Sequence, residues 1–480
     1  MAIATPDRID AARAGENFPV ASRLVAPALR HAVFAFYRVA RGADDVADDP
    51  SMPPAAKSAR LAEVDAFLSG TMQPRPDDAL GADCIALRRS CALHAVDVRH
   101  ARQLLQAFQA DAASRSCRGW SDLLAYCRFS AVPVGRFLLE LHGEGKEAQD
   151  ASDRLCSALQ VLNHLQDCGA DWTRLRRCYL PLDWLAAEGA TTADLETPSA
   201  SPALRRVIDR VLDATDALLL QASPLPGHIL SAGLAREAAG ILALARDLAR
   251  RLRKDDPLAT RVAAGRASKA AIFLLAATRA RPLRPASSFA LALRLLPRGA
   301  RQAGAAIYAL ARRLDDIADG PAPEQARRAA LDLWREEIRA AAQGRSVEPL
   351  AVAIGRHAGI LPLEEFDRLV DGLAWDCAGS AARAPDRQAF RLYCRQVAGS
   401  IGVLVLAACG HSGAADRAFG IALGEALQTV NVLRDIDEDA ARGRLYIPED
   451  MLREAGMEAS LPPAAMRADP RIGAVRALLA

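Results

Sequence analysis

Four polar side chains near the end of the sequence have a spacing that could hold a metal ion. They lie within Leu423–Pro448 at offsets of 0, 3, 7 and 11, and they are Gln428, Asn431, Asp435 and Asp439. On an α-helix these offsets place all four on one face, and apolar residues lie among them, including Val430, Val432 and Leu433. Buried oxygen ligands suit a hard divalent cation such as Mg²⁺, and Mg²⁺ in turn suits a diphosphate. The stretch therefore predicts a helix that carries a metal and diphosphate site.

The same polar stripe occurs earlier in the chain, where its members are Gln160, Asn163, Asp167 and Asp171. An acidic cluster precedes each stripe, with a tyrosine seven positions and an arginine three positions before its first acid. The two clusters consist of Tyr37, Arg41, Asp44, Asp45 and Asp48 in the first copy, and of Tyr308, Arg312, Asp315, Asp316 and Asp319 in the second.

Further landmarks repeat in the same order. A tyrosine opens a matching stretch between cluster and stripe, and an arginine and a tyrosine follow each stripe. These residues are Tyr126, Arg177 and Tyr179 in the first copy, and Tyr393, Arg444 and Tyr446 in the second. The copies are 271 residues apart at the first acid of the cluster, 267 at the opening tyrosine and 268 at the first aspartate of the stripe. Landmarks in one order at nearly one offset indicate that a whole domain is duplicated.

The acidic clusters also suggest metal chemistry. Asp44 and Asp48 are one helical turn apart, so their carboxylates share a face. Carboxylates this close repel each other unless a cation lies between them. A metal ion that bridged carboxylates and a diphosphate would neutralise the charge of a departing diphosphate. Other interpretations stay open, because the acids fit a solvated helix end, Arg41 and Arg312 fit salt bridges to them, and the tyrosines fit an ordinary core.

The duplicated pattern resembles the squalene/phytoene synthase family. Over most of both halves it shares DDxxD after a tyrosine and an arginine, then QxxNxxxDxxxD followed by R-x-Y-x-P. The N-terminal half, with ENFPVAS at Glu16–Ser22, is most similar to hydroxysqualene synthases of bacterial hopanoid pathways. The C-terminal half, with SSFALALRLLP at Ser287–Pro297, is most similar to presqualene diphosphate synthases. The resemblance therefore implies a fusion of two successive steps.

The resemblance also implies roles for particular residues. The catalytic residues it implies, which contact diphosphate or stabilise carbocations, are Tyr37, Arg41, Tyr126, Tyr179, Tyr308, Arg312, Tyr393 and Tyr446. The substrate-binding residues it implies are Asn17, Gln160, Asn163, Arg177, Ser288, Phe289, Gln428, Asn431, Arg434 and Arg444. The ligands it implies for Mg²⁺, with Mn²⁺ as an alternative, are Asp44, Asp45, Asp48, Asp167, Asp171, Asp315, Asp316, Asp319, Asp435 and Asp439.

The implied reaction is a head-to-head condensation of two prenyl diphosphates, with farnesyl diphosphate favoured as the substrate. Presqualene diphosphate would form first and would then react on to hydroxysqualene or squalene, and downstream isoprenoid-pathway enzymes are candidate partners. No GxGxxG follows a strand in the sequence, so an NADPH site is not favoured. Two alternatives stay open, namely phytoene or dehydrosqualene synthesis of the carotenoid type, and one half acting as a non-catalytic helical scaffold.

Length and composition predict the fold class. A chain of 480 residues with 51% apolar residues is expected to form two domains with large cores. Abundant Ala, Leu and Arg with only 5% aromatic residues favour helices. We therefore expect an all-α chain of two tandem isoprenoid-synthase-type helical bundles, residues 1–280 and 281–480. Only 34 residues follow Tyr446, against about 100 that follow Tyr179 in the first domain, so the second bundle is expected to be shortened at its C-terminus.

The remaining features concern location and partners. The net charge of +3 gives no reason to expect a nucleic-acid partner. The ten cysteines form no CxxC pair, which favours reduced thiols in a cytoplasmic protein. The N-terminus lacks a basic-then-apolar signal pattern, and the uninterrupted apolar runs are too short to cross a bilayer. The basic linker Arg279–Ser287 fits a solvated connector, and peripheral contact with the inner face of a membrane is left open beside it.

Overall fold

The computed structural model describes residues 24–113, 116–279, 296–297, 299–378, 386–436, 439, 444–458, 469 and 471–473. These residues form helices joined by loops, with no β-strand among them. The predicted all-α class is therefore confirmed. The chain divides into two compact units, of which the first is Met1–Cys91 with Val96–Pro285 and the second is Ala92–Ala95 with Ala286–Ala480.

The helices are numbered in chain order. From the start of the description to residue 279 they are α1 Arg30–Asp48, α2 Pro54–Ser69, α3 Ala79–Leu93, α4 Arg99–Ala112, α5 Trp120–Ser130, α6 Val132–Leu141, α7 Gln149–Leu175, α8 Leu182–Glu188, α9 Pro202–Gln221, α10 Leu225–His228, α11 Ala232–Lys254 and α12 Arg266–Arg279. The later helices are α13 Arg301–Ala318, α14 Glu324–Ala342, α15 Pro349–Gly355, α16 Glu364–Asp376, α17 Arg387–Cys394, α18 Ser400–Ala408, α19 Ala414–Arg434 and α20 Glu449–Glu454. A π-helical turn, Arg395–Gly399, joins α17 to α18.

The helix α1 positions the first acidic cluster because its sequence is amphipathic. Its apolar residues recur every three or four positions and are buried in the first unit, among them Ala32, Phe36, Val39, Ala43 and Ala47. The acids follow the same helix on its other side up to Asp48. Pro50 comes two residues later and cannot continue a helix. The helix α13 repeats the arrangement in the second unit and buries Ala303, Ile307, Leu310, Leu314 and Ile317.

The helix α7 has 27 residues, about 40 Å of helix, and carries the first polar stripe. It ends at Arg176, whose φ of 54° lies in the left-handed region. This cap lets the backbone N–H of Arg177 bond to the carbonyl of Asp171 at 3.2 Å. For a residue with a side chain the left-handed conformation costs about 1 kcal/mol. The turn sends the chain back, so that Arg177 and Tyr179 contact α1 and α4.

The helix of the second stripe, α19, has a more open surrounding. Four of its apolar side chains are 46–60% exposed, namely Phe419, Leu423, Leu427 and Val430. The residues 268 positions earlier lie on α7 and are buried or partly buried there, namely Ala151, Leu155, Leu159 and Leu162. In the first unit α9 and α11 pack against α7 and cover this side. The first stripe lies wholly on α7, whereas α19 ends at Arg434 and leaves Asp435 and Asp439 beyond its end. The prediction that one helix carries all four residues therefore holds for the first stripe and is wrong for the second.

One helical stretch of the described residues, Arg387–Ala408, is long and apolar enough to cross a membrane, judged by length and composition alone. The stretch has a mean hydropathy of 1.2 and is 39% buried within the protein. Phe390, Tyr393 and Leu404 on it belong to the core of the second unit, and a core helix satisfies the same criterion.

Candidate active site

Each acidic cluster stands at the C-terminal end of its helix, α1 or α13. That end carries partial negative charge, so carboxylates there are repelled by the helix as well as by one another. In the first unit Arg41 forms ion pairs with Asp44 at 3.5 Å and with Asp45 at 3.0 Å. In the second unit Arg312 forms the two corresponding pairs at 3.1 and 2.8 Å. The salt bridges expected as an alternative role are thus present, but each cluster still has more acids than this arginine can neutralise.

The crowding raises the affinity of these acids for protons. Burial raises the pKa of Asp44 to about 7, and the charge of Asp48 adds to the effect. In the second unit burial raises the pKa of Asp315 to about 6, and Asp319 again adds to it. The side chains of Asp44 and Asp315 are 36% and 45% exposed, so solvent screens part of both shifts. A cation that neutralised the clusters would relieve the same repulsion.

A buried arginine ties each cluster to the segment that follows the polar stripe. Arg177 is 6% exposed and donates to Asp48 at 2.5 Å and to the carbonyl of Ala47 at 2.9 Å. Arg444 is 9% exposed at its side chain and donates to Asp319 at 2.5 Å. Because a guanidinium stays charged when buried, these bonds hold the last acid of each cluster in a fixed place.

A buried aspartate that the sequence analysis missed lies behind each of these arginines. Asp111, at the end of α4, accepts hydrogen bonds from the hydroxyls of Tyr126 at 2.7 Å and Tyr179 at 2.8 Å. Its own carbonyl accepts a bond from Arg177 at 3.2 Å. Burial raises the pKa of the Asp111 carboxyl, and the charge of Arg177 and the two hydroxyls oppose this shift.

We call this meeting of a buried aspartate with two tyrosine hydroxyls and an arginine the junction. The second unit has a corresponding junction. Asp376, at the end of α16, accepts bonds from the hydroxyls of Tyr393 at 3.1 Å and Tyr446 at 2.8 Å. Its carbonyl accepts a bond from Arg444 at 3.4 Å. Burial raises the pKa of Asp376 to about 7, against the lowering effect of Tyr446 and Arg444. Asp111 and Asp376 are 265 residues apart, close to the offset of the other landmarks. That repeat was the sequence signal that could have revealed them.

The tyrosines form a small aromatic cluster in each unit. The rings of Tyr126 and Tyr179 are 5.2 Å apart, and His164 stacks on Tyr179 at 3.6 Å. In the second unit the rings of Tyr393 and Tyr446 are 5.1 Å apart. Both hydroxyls of each pair point to one carboxylate, so the hydroxyl ends of the two rings are fixed at a single buried point. The structure thus brings together the tyrosines that the sequence placed far apart.

The polar stripes are less tightly organised. On α7 the amide of Gln160 donates to His164 at 3.1 Å, and Asp171 lies 3.8 Å from the same imidazole. Asp167 lies 3.6 Å from the Arg261 guanidinium, and burial raises its pKa. Asn163 lies on the same helix and is half-buried.

On α19 the amide of Asn431 lies 3.5 Å from Gln428, and Arg434 forms two bonds to the neighbouring Asp435 at 2.7 and 2.6 Å. The backbone N–H of Asp439 bonds to the carbonyl of Asp435 at 2.9 Å. Arg434 is therefore engaged with a stripe carboxylate rather than held apart as a diphosphate ligand, and its implied role stays a prediction.

An apolar cavity of about 270 Å³ lies in the first unit beside the cluster. Tyr37 lines it from α1 together with Phe36, while Val134 and Leu138 of α6 form another wall. Glu237 of α11 also lines it. Tyr37 stands one turn before Arg41, so the helix that carries the acidic cluster also forms one wall of the cavity. Tyr308, the matching residue of the second unit, is half-buried on α13.

Two sets of predictions are not settled by this geometry. Among the described residues, no three or more His, Cys, Asp or Glu side chains form a group that could by itself hold a metal ion. The metal-binding role of the acids therefore stays a prediction. Asn17, Ser288 and Phe289 lie outside the described residues, so their predicted contacts with diphosphate also stay predictions.

Comparison with known proteins identifies relatives for both halves. The family model described as Squalene/phytoene synthase matches residues 11–269 and 283–479. The N-terminal half matches the hydroxysqualene synthase of Rhodopseudomonas palustris with 40% identity over 247 residues, 52% of this chain and 82% of that protein. The C-terminal half matches the presqualene diphosphate synthase of the same organism with 40% identity over 177 residues, 37% of this chain and 63% of that protein.

A third relative is the phytoene synthase of Mycobacterium tuberculosis, with 35% identity over 194 residues, 40% of this chain and 63% of that protein. The presqualene diphosphate and phytoene synthases are thus matched over just under two thirds of their length. The hydroxysqualene synthase is matched over most of its length.

Proposed function

Because this chain belongs to the squalene/phytoene synthase family, we propose that it converts two farnesyl diphosphates into hydroxysqualene in two successive steps. The family consists of prenyltransferases that act on prenyl diphosphates. One observation carries the proposal. Each half of a single chain is similar to an enzyme named for a different step, hydroxysqualene synthase or presqualene diphosphate synthase, while both halves repeat one buried arrangement of acid, arginine and tyrosines.

We assign the first step to the second unit. One farnesyl diphosphate loses its diphosphate and leaves an allylic cation, which attacks the 2,3 double bond of a second farnesyl diphosphate. A proton then leaves, so the products are presqualene diphosphate, free diphosphate and a proton. In the first unit presqualene diphosphate loses its own diphosphate, the cyclopropane ring rearranges, and water adds with loss of a proton. Hydroxysqualene results.

Each site has residues suited to the leaving diphosphate and residues suited to the carbocation that its departure creates. Arg177 and Arg444 place a permanent positive charge beside the acidic cluster, where a departing diphosphate would need it. The rings of Tyr126 and Tyr179 lie 5.2 Å apart, and we propose that they stabilise carbocations by cation–π attraction. Arg177 and both tyrosine hydroxyls meet at Asp111, so the diphosphate-binding and aromatic groups are held in one framework.

The acidic clusters fit Mg²⁺. Their donors are all carboxylate oxygens, and Mg²⁺ is commonly held by one or two carboxylates completed by substrate phosphates and water. Asp44 with Asp48, and Asp315 with Asp319, would supply such pairs. When bound, the ion would neutralise the leaving diphosphate.

The apolar cavity beside Tyr37 would take a prenyl chain and keep most water away from the cation. A cation in such surroundings reacts only with what the site admits, so the outcome depends on the few polar groups near it. We propose capture by water rather than hydride transfer from NADPH, and we expect catalysis on the cytoplasmic side of the membrane.

Two other functions are less well supported than this one. Phytoene synthesis would need geranylgeranyl diphosphate, and the phytoene synthase relative is less similar and less fully matched than the hydroxysqualene synthase. A non-catalytic second unit would not need a site of its own. The second unit nevertheless has the complete junction of Asp319, Arg444, Asp376 and both tyrosines, which favours an active site there.

Paired substitutions would assign the steps. Asp44→Asn with Asp48→Asn should stop the chain at presqualene diphosphate, which would accumulate from farnesyl diphosphate. Asp315→Asn with Asp319→Asn should leave farnesyl diphosphate unconsumed, yet supplied presqualene diphosphate should still become hydroxysqualene. Loss of farnesyl diphosphate consumption from the first pair of substitutions, with no accumulation, would contradict two sites in series.

A further inference from the structure

In each unit a single buried carboxylate accepts hydrogen bonds from two tyrosine hydroxyls. Asp111 is 6% exposed and Asp376 is 4% exposed. Each accepts from one tyrosine that precedes its polar stripe and from one that follows it. Each also offers its backbone carbonyl to the arginine that pairs with the acidic cluster. The same three connections therefore meet at one residue in both units.

The two aspartates make the same contacts although the sequences around them differ. Asp111 stands in QADAA at the end of α4, and Asp376 stands in AWDCA at the end of α16. Their partners are 15 and 68 positions away in the first unit, and 17 and 70 in the second. The local sequences around the two aspartates differ while the contacts agree. The contacts are thus a property of the duplicated site.

Stability alone gives little reason for such a residue. Burying a carboxylate costs free energy even when it is hydrogen-bonded, and well-packed apolar side chains often serve a core as well or better. What the carboxylate does provide is orientation. Because both hydroxyl hydrogens point to it, the rings of Tyr126 and Tyr179 are held at 5.2 Å from each other with their hydroxyl ends fixed.

Charge adds to orientation. When the aspartate is ionised, its negative charge behind the hydroxyls makes the adjoining rings more attractive to a cation, and this effect is stronger in a water-poor site. Arg177 and Arg444 connect the same junction to Asp48 and Asp319. The junction therefore fixes the distance between the aromatic groups and the end of the site that holds diphosphate, as preorganised electrostatic stabilisation requires.

We propose that Asp111 and Asp376 are positioning residues that hold the carbocation-facing tyrosines of the two sites. This inference rests on the proposed two-step function and extends it to residues that touch neither metal nor substrate. Each aspartate serves one step only, so Asp111 supports the conversion of presqualene diphosphate and Asp376 supports its formation.

The test uses the full chain with Asp111→Asn or Asp376→Asn. Asn keeps the size of the side chain but removes its charge and one acceptor. For D111N we expect kcat for presqualene diphosphate to fall by roughly tenfold or more with KM changed by less than about twofold, because the loss concerns the transition state. D376N should do the same to the condensation of farnesyl diphosphate. Asp65→Asn, at an exposed ion pair on α2, should leave both steps unchanged.

A double-mutant comparison separates positioning from general damage to the fold. In a chain that already has Tyr126→Phe and Tyr179→Phe, D111N should reduce kcat by less than about threefold further, because its effect passes through those hydroxyls. Additive losses, a change in KM alone, or unchanged kcat would overturn the proposal. If D111N does not fold, D376N with Tyr393→Phe and Tyr446→Phe provides the same test. A wild-type chain that forms neither product would instead overturn the proposed function.

Discussion

Removing the charge of Arg177 should destabilise the first unit more than removing that of its neighbour Arg176. Both arginines form an ion pair at 2.5 Å, Arg177 with Asp48 and Arg176 with Glu196. The Arg177 side chain is 6% exposed, whereas that of Arg176 is 63% exposed. The two positions therefore compare the same interaction in buried and in solvent-exposed surroundings.

The expected loss follows from the bonds that Arg177→Met removes. A hydrogen bond to a charged group contributes about 1.5–3 kcal/mol, and a buried carbonyl left without its donor costs about 1 kcal/mol. Arg177 donates to Asp48 and to the carbonyls of Ala47 and Asp111. The Ala47 carbonyl also accepts a bond from the Lys57 ammonium at 2.7 Å, so only the Asp111 carbonyl is counted as losing its donor. Asp48 is 40% exposed and can bind water instead, so the lower value applies to it. The free energy of unfolding of the first unit should fall by about 2–3 kcal/mol.

Urea unfolding followed by tryptophan fluorescence would measure this loss. The two units can unfold in separate transitions, so each is fitted by itself. The matched control is Arg176→Met, which keeps the left-handed backbone at that position. It removes an exposed ion pair and a contact of the guanidinium with the Trp172 ring at 5.4 Å, which together contribute about 1 kcal/mol. Equal losses from R176M and R177M would refute the reasoning. So would a loss from R177M that appeared only in the transition of the second unit.

Two further predictions concern stability. Burial and neighbouring acids raise the pKa of Asp44 to about 7 and of Asp315 to about 6, so these two carboxyls bind more protons in the folded metal-free chain than in the unfolded chain. The stability that they contribute is lost as the pH rises from 4 to about 7, so the melting temperature of the wild type should fall more over this range than that of Asp44→Asn with Asp315→Asn. Excess Mg²⁺ should offset this fall, and a melting temperature independent of pH and Mg²⁺ would contradict the metal assignment. Gly135→Ala should destabilise the first unit by about 1–3 kcal/mol, since the new Cβ would lie 2.5 Å from Ser152 Oγ. Gly227→Ala, where nothing lies within 4 Å, is the control, and similar losses from both would contradict the packing argument.

The sequence predicted best those features of the fold that depend on local periodicity. Helical spacing predicted that Asp44 and Asp48 lie one turn apart on a helix, and α1 has both of them at its end. The all-α class followed from composition in the same way. Predictions of shared helix faces succeed because the spacing of two residues in the sequence decides whether their side chains lie on the same face.

The sequence was less informative where contacts join distant segments. Asp111 was missed because its partners Tyr126 and Tyr179 reach it from α5 and from the loop after α7. The periodicity of one helix does not show which residues of other segments will contact it. The open surrounding of α19 was likewise not predictable residue by residue, since it depends on which helices pack against it.

The central claim is that one chain performs both steps, and product analysis tests it most directly. The purified chain would be incubated with farnesyl diphosphate and Mg²⁺, without NADPH, and its products identified by mass spectrometry over time. The account predicts presqualene diphosphate at early times and hydroxysqualene as the end product. Farnesyl diphosphate left unconsumed, with geranylgeranyl diphosphate converted to phytoene under the same conditions, would contradict it.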